Sequence, residues 1–151
     1  MEIEFRKAVR EDAEQLIEIY NAAFYDDYVR YGEGPGYGRT REMMEQSIQV
    51  CPKFVIIAGG RPVGCVSCRA VEKGLYEVGC LCVIPEYQGQ GIGTAAVEFI
   101  KSYYTDWTRF TLVTPADKSR NVKFYTEKCG FAIQSVEQKG NVKVYRFVLE
   151  R

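Results

Sequence analysis

Val83-Ile84-Pro85-Glu86-Tyr87-Gln88-Gly89-Gln90-Gly91-Ile92-Gly93-Thr94 carries the chain from a β-rich run, through a glycine-dense turn, into a helix-forming run. The first N–H groups of a helix have no partner within it, and glycines let a diphosphate come close to them. A Rossmann fingerprint is a poor match. It needs Gly-x-Gly-x-x-Gly, and the sixth position counted from Gly89 is Thr94. A Walker loop is excluded because Gly-Lys-Ser/Thr is missing. The remaining readings are a diphosphate cradle with the spacing Gln-x-x-Gly-x-Gly and a plain strand–turn–helix junction whose glycines serve close packing.

The pattern on either side predicts one central sheet. Ile3–Arg6 alternates as a first strand, and a helix follows with an apolar stripe of Leu16, Ile19, Tyr20, Ala23 and Phe24. The glycine-rich segment 32–38 reads as a loop, and 40–50 as a second helix. Segments 54–58, 63–71 and 75–83 read as consecutive strands joined by Gly-containing turns. A helix over 91–104, a strand over 109–114, a short helix over 119–129 and two strands over 131–136 and 142–149 complete the chain. Gly130 is placed to stop the short helix, and Gly140-Asn141 to turn the last hairpin. The expected fold is α+β (mixed α/β), a mostly antiparallel sheet flanked by helices in one domain over residues 1–151. The strands either side of the 91–104 helix are the pair able to run parallel.

Twenty Lys plus Arg balance twenty Asp plus Glu, so no global field attracts nucleic acid or an anionic membrane. No apolar run reaches the roughly 18 residues of a membrane span, and the N-terminus does not read as a secretory signal. A cytoplasmic protein is expected. Histidine is absent, and the six cysteines are Cys51, Cys65, Cys68, Cys80, Cys82 and Cys129. Cys65 and Cys68 would face opposite sides of a strand, while Cys80 and Cys82 would share a side. The expectation is buried reduced thiols and no metal.

Gln88-x-x-Gly91-x-Gly93, led by the strand ending at Leu81-Cys82-Val83 and by Pro85, resembles motif A of the GNAT acyltransferase superfamily. Asn121, Phe124-Tyr125 and Gly130-Phe131 resemble its motif B. The resemblance covers roughly residues 54–148. It implies a GNAT-like splayed sheet and acetyl-CoA as acyl donor. The CoA pyrophosphate would rest on the amides of Gln88, Gly89, Gln90, Gly91, Ile92, Gly93 and Thr94. The pantetheine arm would lie along Leu81, Cys82 and Val83 like an extra strand, with the Val83 N–H serving the tetrahedral oxyanion. Asn121 would hydrogen-bond the pantetheine or a water.

Transfer to an amine raises a proton problem. Deprotonating a lysine-like amine of pKa about 10.4 costs about 4–5 kcal/mol at pH 7. Glu77 is the candidate base. It precedes Val83 on the same strand, and period two puts it on the face of Gly79, Leu81 and Val83. Tyr125 is the candidate acid for the leaving thiolate, a phenol being close to a thiol in pKa. Five positions separate Tyr125 from Gly130 where many superfamily members have four, so Thr126 competes for the same helix face. For the acceptor, Tyr25, Asp26, Tyr28 and Tyr31 offer rings and carboxylates to a cationic amine, small molecule or peptide. A rival from another class is an acyl-CoA-binding sensor without turnover. Self-association as a homodimer is expected through the edge of strand 142–149.

Overall fold

In chain order the elements are β1 (Ile3–Lys7), α1 (Ala13–Tyr31), α2 (Arg41–Val50), β2 (Lys53–Ala58), β3 (Arg61–Glu72), β4 (Leu75–Val83), α3 (Ile92–Tyr103), β5 (Arg109–Pro115), α4 (Ser119–Lys123), β6 (Ala132–Lys139) and β7 (Val142–Glu150). The computed structural model describes residues 1–34 and 36–151; Pro35, in the loop expected over 32–38, lies outside the described residues. The strands form one open sheet in the order β1-β2-β3-β4-β5-β7-β6. Every neighbouring pair is antiparallel except β4–β5. That pair is parallel and holds only at Leu75↔Arg109, Tyr76↔Phe110 and Glu77↔Thr111. Beyond Glu77 the two strands part, which is the splay the resemblance implies.

Helices cover both faces of the sheet. The stripe of α1 buries Leu16, Ile19 and Tyr20, and Tyr20 reaches Lys53 of β2 and Cys65 of β3. On the other face Phe99 of α3 stacks on Phe5 at 4.3 Å and meets Phe54 edge-on at 4.9 Å. The helix α1 runs on to Tyr31, so Tyr25, Asp26, Tyr28 and Tyr31 are helical. Gly32 ends it at φ 72°, returning its N–H to the Tyr28 carbonyl. Thr40 caps α2, its hydroxyl accepting the Met43 N–H at 3.1 Å.

Two expectations about the sheet are corrected. On β4, Ser67 pairs with Cys80 and Cys68 with Val78, leaving Gly79 as an unpaired bulge. The bulge breaks period two. Glu77, opposite Arg69, therefore shares the α1-side face with Cys80 and Cys82, not the face of Leu81 and Val83. The second concerns the free edge. β7 is interior, paired on both sides, and β6 is the outer strand. An edge-to-edge dimer through 142–149 is thus closed off by the chain's own β6.

Near the start of the chain, Arg6 grips the Asp12 carboxylate with two hydrogen bonds of 3.0 and 2.9 Å, and Val9 N–H adds a third at 2.7 Å. The Arg6 hydrogen bond is the main reason the Asp12 carboxyl titrates below the usual range. A depressed carboxyl contributes stability that is complete above its unfolded value, about 3.9, and is lost as pH falls through the lower folded value. Asp12→Asn should therefore lower Tm at neutral pH and make the loss of Tm below about pH 4 shallower. Calorimetry across that range checks it, and parallel acid limbs in the two proteins would count against the assignment.

Candidate active site

Where β4 and β5 diverge, the sheet opens into a cleft of about 500 Å³. Gly79 and Leu81 form one wall, Leu112 and Thr114 the other, with Asn121 and Tyr125 beside them and α1 across the mouth. The edge of β4 facing this gap is a row of backbone groups. Ile84 N–H bonds back to Val63 at 2.8 Å, on the β3 side. Alternation in an antiparallel pair then turns the N–H and C=O of Val83, and of Leu81 before it, toward the gap. Cys82 is buried and lines none of the cleft, and the same alternation turns its N–H and C=O toward β3, so the expected place for it in such a row is corrected.

The glycine turn sits at the end of that edge. Gly89 and Gly91 have φ of 76° and 83°, a conformation open to glycine at little cost. Gln88 turns its amide back onto the Val83 carbonyl at 2.9 Å, and Gln90 its own onto Glu86 at 3.3 Å. Both glutamine side chains therefore brace the turn, leaving its backbone for a ligand. Gly91 caps α3 without a side-chain acceptor, and the first helical bond comes from Ala95 N–H at 3.1 Å. The N–H groups of Ile92, Gly93 and Thr94 precede it and have no acceptor in the helix. This is a helix start suited to an anion, each favourable charge contributing about 0.3–1 kcal/mol. Gly93 has a different reason to be glycine. A Cβ there would stand 2.9 Å from the Phe124 ring, so packing, not phosphate approach, requires it. Close packing, one of the two readings left open by the sequence, thus accounts for Gly93.

The expected helix over 119–129 is not uniform. α4 ends at Lys123 and a π turn occupies Phe124–Lys128, with Cys129 N–H bonded to the Phe124 carbonyl at 3.2 Å. One wide turn absorbs the extra residue before Gly130. As a result Tyr125 keeps the inward face. It is buried, lines the cleft and packs against Phe131 and Phe147. Thr126 instead gives its hydroxyl to the Val122 carbonyl at 2.8 Å. No hydrogen bond ties the Tyr125 hydroxyl among the described residues. Burial pushes its phenol well above the ordinary value, with Cys129, Cys80 and Cys82 adding to the effect. That moves it away from the thiol match expected from sequence and keeps it protonated. Asn121, also in the cleft wall, donates to Thr114 Oγ1 at 3.2 Å.

Glu77 is held elsewhere. Oε1 accepts from Arg69 at 2.9 Å, Oε2 lies 3.5 Å from Arg146, and the side chain is absent from the cleft wall. Of the acceptor candidates, only Tyr31 reaches the cleft. Tyr25 and Tyr28 lean outward onto Tyr37, and Asp26 does not line the opening. Asp27, in the same acidic and aromatic segment, does line it. The end of α1 is tied across the mouth: Tyr31 hydroxyl to Asp117 at 2.6 Å, Arg30 to Asp117 at 3.0 Å, Lys118 to Asp27 at 2.8 Å. Glu33 adds a bond to Asn141 N–H at 3.1 Å, joining the α1 end to the β6–β7 turn.

The family model "Acetyltransferase (GNAT) family" matches residues 13–131, from the first turn of α1 to Phe131, just before β6. The chain belongs to that family. The GNAT match takes in both the glycine turn and the π turn. A curated relative, the uncharacterized protein YrkN of Bacillus subtilis (strain 168), is 47% identical over 81 residues. The match covers 53% of this chain and 44% of YrkN, so the chain spans under half of that relative's length. Among solved structures, an acetyltransferase from Thermus thermophilus superposes with TM-score 0.79 at 17% identity, covering 100% of this chain and 98% of its own. The PaiA N-acetyltransferase of Thermoplasma acidophilum, in complex with coenzyme A, gives TM-score 0.78 at 19% identity, covering 97% and 98%. At such identities the likeness is one of fold, and the splayed sheet is a GNAT sheet. Among the described residues no helix is long and apolar enough to cross a membrane.

Proposed function

We propose that residues 1–151 work as one acetyltransferase domain that moves an acetyl group from acetyl-CoA to a primary amine, small-molecule or peptide, by direct attack within a ternary complex. The observation that carries this reading is continuity. The cleft that Tyr125 lines opens on the β4 edge at Gly79 and Leu81, and the same strand leads on to the glycine turn and the uncapped α3 N-terminus. A diphosphate on Gly89–Thr94 places an extended amide-bearing arm along Leu81 and Val83, and its thioester then reaches the cleft. The Val83 N–H meets the developing oxyanion there. The amine enters from the α1 side, past Tyr31 and Asp27. Tyr125, protonated at working pH, donates its O–H to the departing sulfur. Asn121 orients the arm or a water beside it.

Glu77 cannot take the amine proton directly from where it stands, and in this proposal it does so through water. Glu77→Gln should shift the pH profile of kcat/KM on the true acceptor. An unchanged profile with a lower Tm would leave Glu77 as an ion-pair partner of Arg69 and Arg146 only. That same pairing is the one observation favouring an acyl-CoA-binding sensor, which needs no base. A thiol-release assay with acetyl-CoA and a panel of polyamines, amino acids, aminoglycosides and peptide amines separates the two. Release dependent on an amine supports transfer; tight acetyl-CoA binding with no release from any amine supports the sensor.

A further inference from the structure

The α1 side of the cleft carries two cations that the acyl-transfer steps leave unused. Arg39 stands in the cleft wall, with Cζ 5.2 Å from the centre of the Tyr20 ring and Nη1 donating to Ser47 Oγ of α2 at 3.3 Å. Lys53 of β2 lies behind the same ring. It is 4% exposed, its Nζ is 5.3 Å from the ring centre, and it donates to the Tyr20 hydroxyl at 2.9 Å. Among the described residues Lys53 forms no ion pair. Its hydrogen bond is to a phenol that burial keeps protonated. An ammonium held this far from water is costly unless an opposite charge comes close. The carboxylates of the cleft wall are engaged at its mouth: Asp27 pairs with Lys118 at 2.8 Å, and Glu33 accepts Asn141 N–H at 3.1 Å.

We propose that the acceptor is an α-amino acid with an apolar side chain, and that Arg39 holds its carboxylate. The inference rests on the transferase reading and narrows it from any primary amine to one that brings its own anion. A guanidinium presents parallel N–H groups that match the two oxygens of a carboxylate. Tyr20 and Ser47 hold that guanidinium in place before a ligand arrives, so less side-chain freedom is lost on binding. The Lys53 charge acts through protein, not through water, and adds to the attraction without touching the ligand. The apolar side chain lies against Phe24 of α1 and against Val113 and Val144, all in the cleft wall. The amine is then directed along the cleft toward Leu81 and Tyr125. Size points the same way. A cleft of about 500 Å³ suits one small molecule, and the ties from Asp117, Lys118 and Asn141 to the α1 end cross the mouth that a folded chain would have to enter.

Turnover and binding test it separately. Thiol release from acetyl-CoA is compared for leucine, methionine and phenylalanine, each against the amine that remains when its carboxylate is removed. In every pair kcat/KM should favour the amino acid by about tenfold to a hundredfold, the effect of a hydrogen bond to a charged group. Arg39→Gln should bring these ratios toward one, and Arg39→Lys should restore part of the preference. Lys53→Met removes the buried charge, leaves Arg39 in place and should lower the ratios by a smaller factor. Thermal transitions confirm that each variant is folded. Calorimetric titration then follows the binding of phenylalanine and of 3-phenylpropanoate, a carboxylate without an amine, with and without CoA. Arg39→Gln should weaken both by about tenfold or more. Parent ratios near one overturn the proposal and leave the transferase reading standing, as do ratios that Arg39→Gln does not move. Binding that depends on Arg39, with no release from any amine, upholds the carboxylate site and counts against transfer. Amino acids that neither bind nor react overturn the proposal.

Discussion

Tyr125→Phe is expected to lower kcat about a hundredfold while acetyl-CoA affinity stays within about twofold. The asymmetry follows from where the hydroxyl is. It projects from a buried ring into the cleft and holds no other group among the described residues, so removing it orphans nothing in the resting protein. Its contribution begins only when a sulfur starts to carry charge. Burial keeps the phenol protonated far above neutrality, so the defect should not be cured by raising the pH. It should shrink when the donor carries a more acidic thiol, whose departure needs less help. Thr126→Val, by contrast, removes a hydroxyl already bound to the Val122 carbonyl and should leave kcat within about twofold. Steady-state kinetics with two thioester donors checks all of this. Equal turnover of Tyr125→Phe and the parent would take Tyr125 out of the mechanism.

Gly64→Ala is expected to be the most damaging small substitution in the sheet. Gly64 lies opposite Val83 where β3 meets the end of β4. A Cβ there would overlap the carbonyl oxygen of Cys82 and crowd Ile56. Backbone cannot rotate out of the way as a side chain can. Overpacking of this kind costs about 1–3 kcal/mol, and each kcal/mol lowers Tm by roughly 2–4 °C in a chain of this size. The displaced segment is also the edge that faces the cleft, so acetyl-CoA affinity should fall together with stability. A Gly93→Ala control meets the far end of the Phe124 side chain, not backbone, and should cost less in both. Denaturation and calorimetric titration on the two variants decide it; a Gly64→Ala protein with parental Tm and affinity would show that β3 and β4 part without penalty.

Much of this architecture was legible from local pattern. The helix after Gly91, the strands around it and the turn at Gly89 and Gly91 follow from periodicity and from glycine's freedom at positive φ. What escaped was set by long-range pairing or by a single inserted residue. The face of Glu77 was misjudged because period two assumes an unbroken ladder, and the Gly79 bulge appears only when β3 is laid beside β4. β6, not β7, is the edge because strand order is not written in strand sequence. The π turn brings Tyr125, not Thr126, to the cleft wall by a backbone device that composition does not announce. Tyr25, Asp26 and Tyr28 looked like a binding surface because they are aromatic and acidic, yet the helix carries them outward. Gly64 gave no warning, one glycine among 14. Lys53 did offer a signal. It is two residues before Val55 on a strand that is buried almost throughout, so the same alternation that buries Val55 buries its side chain.

The short β4–β5 ladder has a consequence for how the protein's stability is regulated. Three residue pairs hold the two halves of the sheet together at that seam, and the next amides along β4 have no strand to bond. A ligand that fills the seam acts as a missing strand and binds only the folded chain. It therefore raises the unfolding free energy by RT ln(1 + [L]/Kd), about 2.7 kcal/mol at a hundredfold excess over Kd. Amide exchange at Leu81 and Val83 should slow in step with that occupancy. A ligand held at that seam would thus tie the folded population of the protein to its own concentration.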